Sequence, residues 1–175
     1  MRVLVKIMNR LSNGLDLVIR VAAGVFLLTM VASIGLQVIA RYVFSSPPPW
    51  TEEAARFAMV WVGLLGATVS FKAGFDPSLV KLSENVPGWI SSSAKCLRGL
   101  SVILFLSPIL WFSIWGPNIN FARGFLSRHY YLKAETFDMS TLLVAIGVPL
   151  FVIVIFIHGI SKAMTDAFEA EEKVK

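Results

Sequence analysis

Four stretches without a single charged residue dominate the chain. They are Val21–Ala40 (twenty residues), Phe57–Phe71 (fifteen), Gly99–Ala122 (twenty-four) and Met139–Ser161 (twenty-three). A helix that crosses a bilayer needs ~17–25 mainly apolar residues, because the hydrocarbon core is ~30 Å thick and each residue rises ~1.5 Å. Three of the stretches qualify outright. The second reaches eighteen residues once Ala54, Ala55 and Arg56 are added, with the guanidinium held at the interface. The expected fold class is an all-α membrane protein. It is a single integral membrane domain over residues 1–175, with transmembrane helices at about 20–40, 54–71, 97–116 and 140–161.

Composition agrees. Hydrophobic residues make up 56% of the 175 and charged residues 15%, whereas soluble domains carry about 45–50% and about 25%. A soluble fold of this size would lack the polar residues to cover its surface. The Lys and Arg residues are unevenly placed. Eleven lie in the N-terminal segment, the second loop and the tail, against five in the first and third loops. The positive-inside rule then puts both termini in the cytoplasm. The net charge of +5 follows from this asymmetry, and no basic–aromatic motif points to nucleic acid. The first apolar run is longer than the 7–15-residue core of a secretory signal. A single cysteine, Cys96, excludes an intramolecular disulfide framework.

Two segments outside the spans are patterned. In residues 1–20, Leu4, Ile7, Met8, Leu11, Leu15 and Val18 follow helical spacing, while Arg2, Lys6, Asn9, Arg10, Asn13 and Asp16 fall on the other side. This predicts an amphipathic helix lying in the membrane interface. A helix packed on a partner, or a first span prolonged into the cytosol, would give the same pattern. In the second loop, Asp76-Pro77 reads as a helix start, and Leu79, Val80, Leu82 and Val86 alternate with Lys81, Ser83 and Glu84. A second interfacial helix is expected over 76–86. Pro108 and Pro149 fall inside the third and fourth spans, where each removes a backbone donor and bends its helix. Gly116-Pro117 should end the third span. Residues 162–175 are expected to be a solvated cytoplasmic tail.

Constellations for catalysis are scarce. His129 and His158 fall on opposite sides of the membrane in this topology, so they cannot share a metal or a haem. No phosphate-binding loop or Cys/His cluster occurs. No span carries an acid or a lysine at its centre, where an ion pathway would require one. These features predict neither an enzyme nor a cofactor. A small multidrug-type exporter would need a glutamate buried in the first span. A membrane anchor of a redox enzyme would need histidines at matching depths in two spans. The polar cluster that remains is at the lip of the second span, in SSPPPWTEEAARFAMVWVGLLG (residues 45–66). Glu52 and Arg56 are four apart and Glu53 and Arg56 three apart, both within reach on a helix. Arg41 closes the first span on the same side. Glu52 or Glu53, Arg56 and Arg41 are therefore candidates for a clasp between the first two helices. Ordinary interfacial charges beside a belt tryptophan, Trp50, give the same pattern. Gly63, Gly66, Ala67 and Ser70 put small side chains on one side of the second helix, which suits close packing against this chain's own helices or a partner's.

Trp50, Glu52, Glu53, Arg56, Trp61 and Gly66, in the run W-x-E-E-x-x-R-x-x-x-x-W-x-x-x-x-G, resemble the signature of the small membrane subunit of TRAP transporters. These are the tripartite ATP-independent periplasmic transporters, and the subunit is their DctQ-like component. The preceding QVIARYVF (37–44), the four-span plan and Pro149 fit as well. Phe75 follows Gly74 where the family often has histidine, and ETFDMSTLL leads into the fourth span where proline and tryptophan are usual. The resemblance implies an accessory subunit in the bacterial inner membrane. A large membrane subunit would carry an organic acid with sodium, and a periplasmic binding protein would deliver it. The small subunit would brace the large one and help dock the binding protein. Arg41, Trp50, Glu52, Glu53, Arg56, Trp61, Gly63 and Gly66 would then form contacts with the partner or scaffold, with lipid around them.

Overall fold

A computed structural model describes residues 2–74 and 88–174. Among them the chain is helical, with two isolated bridges (Gly116–Asn120 and Lys133–Ser140) as its sole extended pairings. Helix α1 runs from Arg2 to Tyr42, α2 from Pro49 to Ala73 and α3 from Gly88 to Ile114. Two short 3₁₀ turns and α4 (Phe125–Tyr131) follow, then α5 (Leu142–Ala145) and α6 (Gly147–Val174). The helices α1, α2 and α6 pack on one another as a bundle, and α3 lies on the outside of α6. Three segments are long and apolar enough to cross a membrane, namely Val3–Tyr42, Pro49–Ala73 and Leu142–Phe168. The apolar part of α3, Gly99–Ile114, is shorter.

The packing of α1 is read from its period. Val5, Ser12, Ile19, Ser33 and Ala40 are buried, and Phe26 at the intervening step packs against the core. A seven-residue spacing is the mark of helices that cross at a shallow left-handed angle, which keeps one seam facing its neighbours. The centre of the bundle is Ile19, Leu65 and Val154, one from each helix. Trp61 of α2 lies flat on Phe26 of α1, with ring centroids 5.2 Å apart and planes 3° from parallel.

Residues 1–20 do not form a separate interfacial helix. From Arg2 onward they are the first half of α1, which runs without a break into the span. Their apolar side is turned away from the bundle. Leu4, Ile7, Leu11 and Val18 are exposed, while Asn9, Ser12 and Asp16 face the bundle. The polar side is favoured inward because α2 and α6 supply hydrogen-bond partners for it. The expected 76–86 helix lies outside the described residues. The tail is helical to Val174 and packs on α1 through Thr165.

The prolines act as their chemistry requires. Pro49 occupies the first turn of α2, where its missing N–H costs nothing. The fourth span is broken between Ala145 and Gly147, four residues before Pro149, whose ring leaves the Ala145 carbonyl without its helical donor. Pro108 is inside α3 without interrupting it. After Ile114 the chain crosses itself. A Cβ at Gly124 would lie 2.2 Å from the Ile114 carbonyl oxygen, and one at Gly116 would lie 2.4 Å from the Arg123 carbonyl carbon. Only glycine fits at either place.

Replacing Trp61 with alanine removes the ring that joins α1 to α2. A loss of about 2 kcal/mol is expected, below the range for a fully enclosed ring because part of the indole is exposed. Circular dichroism melts in detergent check this, and an unchanged midpoint would show that the stack carries no stability.

Candidate functional site

The site at the lip of α2 is built around a buried carboxylate. Helix α2 turns Thr51, Ala55, Ala58, Leu65 and Thr68 toward the bundle, and Thr51 closes the first turn by donating to the Pro48 carbonyl at 2.7 Å. Glu53 points elsewhere, yet it is only 4% exposed. What covers it is the loop between α4 and α5. The backbone N–H of Glu135 donates to Glu53 Oε1 at 2.8 Å, and that of Thr136 donates to Oε2 at 2.7 Å. The Thr136 hydroxyl donates to the same Oε2. Three donors on two consecutive residues therefore converge on one carboxylate, a charge-assisted arrangement that holds the ionised form.

The loop is fastened within itself too. Ala134 N donates to Met139 O at 2.9 Å and Thr141 N to Leu132 O at 2.9 Å. Ser140 Oγ bonds the carbonyls of His129 and Tyr130, and Thr141 Oγ1 bonds His129 Nδ1 at 2.9 Å. Lys133 pairs with Asp138 on the surface. Beneath this loop is an open cavity of about 430 Å³, lined by Arg56, Phe57, Val60, Phe125, His129 and Val148 among others.

The expected clasp is thus assembled differently. Glu53 joins α2 to a loop 82 residues later instead of to α1. Arg56 approaches Glu135 at 3.8 Å, with both side chains exposed. Arg41 and Glu52 are exposed and form no ion pair among the described residues. Trp50 is 42% exposed at the start of α2. Trp61 is in the bundle. Gly63 and Gly66 approach nothing, since a Cβ at either would meet no atom within 4 Å. The glycine that permits a close approach is Gly147, where a Cβ would lie 3.0 Å from Leu64 and 3.5 Å from Trp61.

A second polar cluster, which sequence reasoning missed, ties the opposite end of the bundle. Lys72 of α2 donates to the Ser12 carbonyl at 2.9 Å and to Asn13 Oδ1 at 2.8 Å, and lies 3.5 Å from Asp16. Arg20 reaches the same carboxylate oxygen at 3.0 Å. Ser12 Oγ and His158 Nδ1 share a hydrogen bond of 2.8 Å, and Ser161 donates to Asn9 Oδ1 at 2.6 Å. Asn9 Nδ2 donates to Thr165 Oγ1 at 3.1 Å. The signal in the sequence was the 3–4 spacing of Asn9, Ser12 and Asp16 along one face of α1, matched by Ser161 and Thr165 one turn apart on α6. Neither cluster forms a metal site: no group of three His, Cys, Asp or Glu residues able to hold an ion occurs among the described residues.

Truncating Glu53 to alanine strands two loop amides and a hydroxyl and should loosen the loop. Amide exchange at Glu135 and Thr136 should speed up, and proteolysis between residues 132 and 140 should increase. Glu52→Ala, which removes no contact among the described residues, should leave both unchanged. At the other end, Lys72→Met is expected to cost about 2 kcal/mol, less than for a fully buried pair because Arg20 still faces Asp16. Thermal melts of Lys72→Met against the wild type check this.

These contacts tie the two ends of the helical bundle. No curated protein sequence matches the chain. Residues 30–169 match the family model described as tripartite ATP-independent periplasmic transporters, DctQ component. The match spans all six helices in whole or in part, including the Glu53 site and the loop it holds, and the chain belongs to the DctQ family, the small permease component of TRAP transporters.

Proposed function

We propose that the chain is the accessory subunit of a sodium-coupled importer of organic acids, and that it performs no transport by itself. It braces the scaffold of a large membrane subunit in the bacterial inner membrane. The loop end of the bundle faces the periplasm and both termini face the cytoplasm, in keeping with the excess of Lys and Arg at the terminal end. In this reading α3 crosses the bilayer as well, and lipid surrounds the assembly.

The observation that carries the proposal is the capture of the outer loop by Glu53. A loop left to itself would pay ordering entropy on every encounter with a partner. This one is held in place beforehand, next to Tyr130 (62% exposed) and Tyr131 (78% exposed) at the end of α4. Exposed aromatics on a rigid support are the usual anchors of a protein interface. The loop is therefore the docking surface for the periplasmic binding protein, while the bundle supports the large subunit.

Reconstitution in liposomes tests the division of labour. Uptake should require the large subunit, the binding protein and this chain together. Sodium-driven uptake by this chain alone would overturn the accessory reading. In the full system, Tyr130→Ala with Tyr131→Ala should raise the binding protein concentration needed for half-maximal uptake by roughly tenfold. The maximal rate at saturating binding protein should stay the same.

A further inference from the structure

The charge-free stretch of the third span is longer than the helix that uses it. It runs from Gly99 to Ala122, but α3 ends at Ile114. The apolar part of α3, Gly99–Ile114, rises ~24 Å at ~1.5 Å per residue. The hydrocarbon is ~30 Å thick. About 6 Å of apolar thickness is therefore left to the turn that follows, residues 115–122.

The turn is composed for that place. Trp115 prolongs α3, its N–H donating to the Trp111 carbonyl at 2.8 Å. Trp111, Trp115 and Phe121 form one aromatic array, with successive ring centroids 6.2 and 6.3 Å apart. Ile119 and Phe121 project from the turn, 66% and 61% exposed. No charge occurs before Arg123. Irregular backbone enters a low-dielectric region only when its polar groups are satisfied. Here the N–H groups of Gly116 and Arg123 both donate to the Asn120 carbonyl, at 3.0 and 3.1 Å. That of Gly124 donates to the Phe121 carbonyl at 3.0 Å, and that of Ala122 to Asn120 Oδ1 at 3.0 Å.

The backbone gives an independent sign. Ile119 has a φ of 56°, a left-handed conformation that a β-branched side chain resists. Such strain persists only where something offsets it. The Ile119 side chain is turned out of the chain's own packing, so the compensation comes from outside. The missing apolar length selects the occupant: a bilayer boundary requires it, and a soluble partner does not. Tryptophan at the end of a span suits the headgroup level for the same reason. We propose that residues 115–122 insert at the boundary of headgroups and acyl chains in the periplasmic leaflet and complete the apolar thickness of the third span. Their partner is the lipid surface, and this anchor sets the depth of α3, which packs chiefly on α6. The inference rests on the reading that α3 crosses the bilayer.

The test uses the full chain in vesicles of phosphatidylethanolamine and phosphatidylglycerol, with and without the large subunit. A nitroxide is attached through Ile119→Cys or Phe121→Cys in a Cys96→Ser background. Both labels should collide with oxygen more often than with a water-soluble nickel chelate, which reads as a depth below the phosphates. A label at Glu135→Cys, exposed on the α4–α5 loop, should show the opposite. Ile119→Asn keeps a residue that tolerates the left-handed backbone but removes the apolar chain. It should raise nickel collisions at Phe121→Cys and leave helix content unchanged. Nickel accessibility at 119 and 121 equal to that at 135 would overturn the proposal. So would shielding from both reagents once the large subunit is present, which would mean a protein occupant. A label at Leu104→Cys, in the middle of α3, separates the two readings. If it is open to the chelate, α3 does not cross and this inference falls with that reading. If it is deep in lipid while 119 and 121 are aqueous, only the anchor falls.

Discussion

A carboxylate removed from water has to find its donors in the protein, and Glu53 finds three of them in one loop. Without them its burial would be costly, since an unpaired buried charge is among the most unfavourable groups a fold can contain. The loop gains equally. Two adjacent amides with no helix or sheet to join receive a strong acceptor. This mutual need fixes where the chain between α4 and α5 rests on α2. The open cavity lies beneath it, and Thr141 at the far end of the loop bonds His129 of α4.

The other end of the bundle solves a similar problem with different groups. Lys72 at the last turn of α2 distributes its ammonium hydrogens over a backbone carbonyl, an amide oxygen and a carboxylate, all on α1. Its charge also favours the C-terminal end of its own helix dipole. The α6 residues His158, Ser161 and Thr165 complete the arrangement. Most of these polar groups find a partner on a neighbouring helix, while Asp16 Oδ1 and His158 Nε2 are buried without one.

Much of the architecture is readable from residue types alone. Charge-free windows located the long apolar helices because chain length and bilayer thickness leave few alternatives. The acids and arginine at the lip of α2 stood out for the same reason: charges beside an apolar run need an explanation. What could not be read was the partner of Glu53. Its donors are mostly backbone amides, which every residue except proline carries, so nothing in the letters at Glu135 and Thr136 marks them. The inward face of α1 could not be read for a related reason. Leu4, Ile7 and Leu11 do form an apolar stripe, but a stripe reveals only that something covers it. Asn9 and Ser12 turn inward because of hydroxyls and a histidine some 146 to 156 residues away. Gly63 and Gly66 show the converse. Small residues permit close packing, and within this chain nothing takes up the offer.

The two polar clusters matter more in lipid than they would in water. Between helices in a bilayer the hydrophobic effect gives little direction, since acyl chains are as apolar as leucine. The middle of this bundle is Ile19, Leu65 and Val154, with Phe26 stacked on Trp61, and most of these contacts tolerate some sliding. Hydrogen bonds do not tolerate it, because they weaken steeply with angle and distance. Ties at both ends of α2, to the α4–α5 loop at Glu53 and to α1 at Lys72, fix its height relative to its neighbours. A bundle pinned at both ends resists shear along its axes. That rigidity suits the bracing role proposed above.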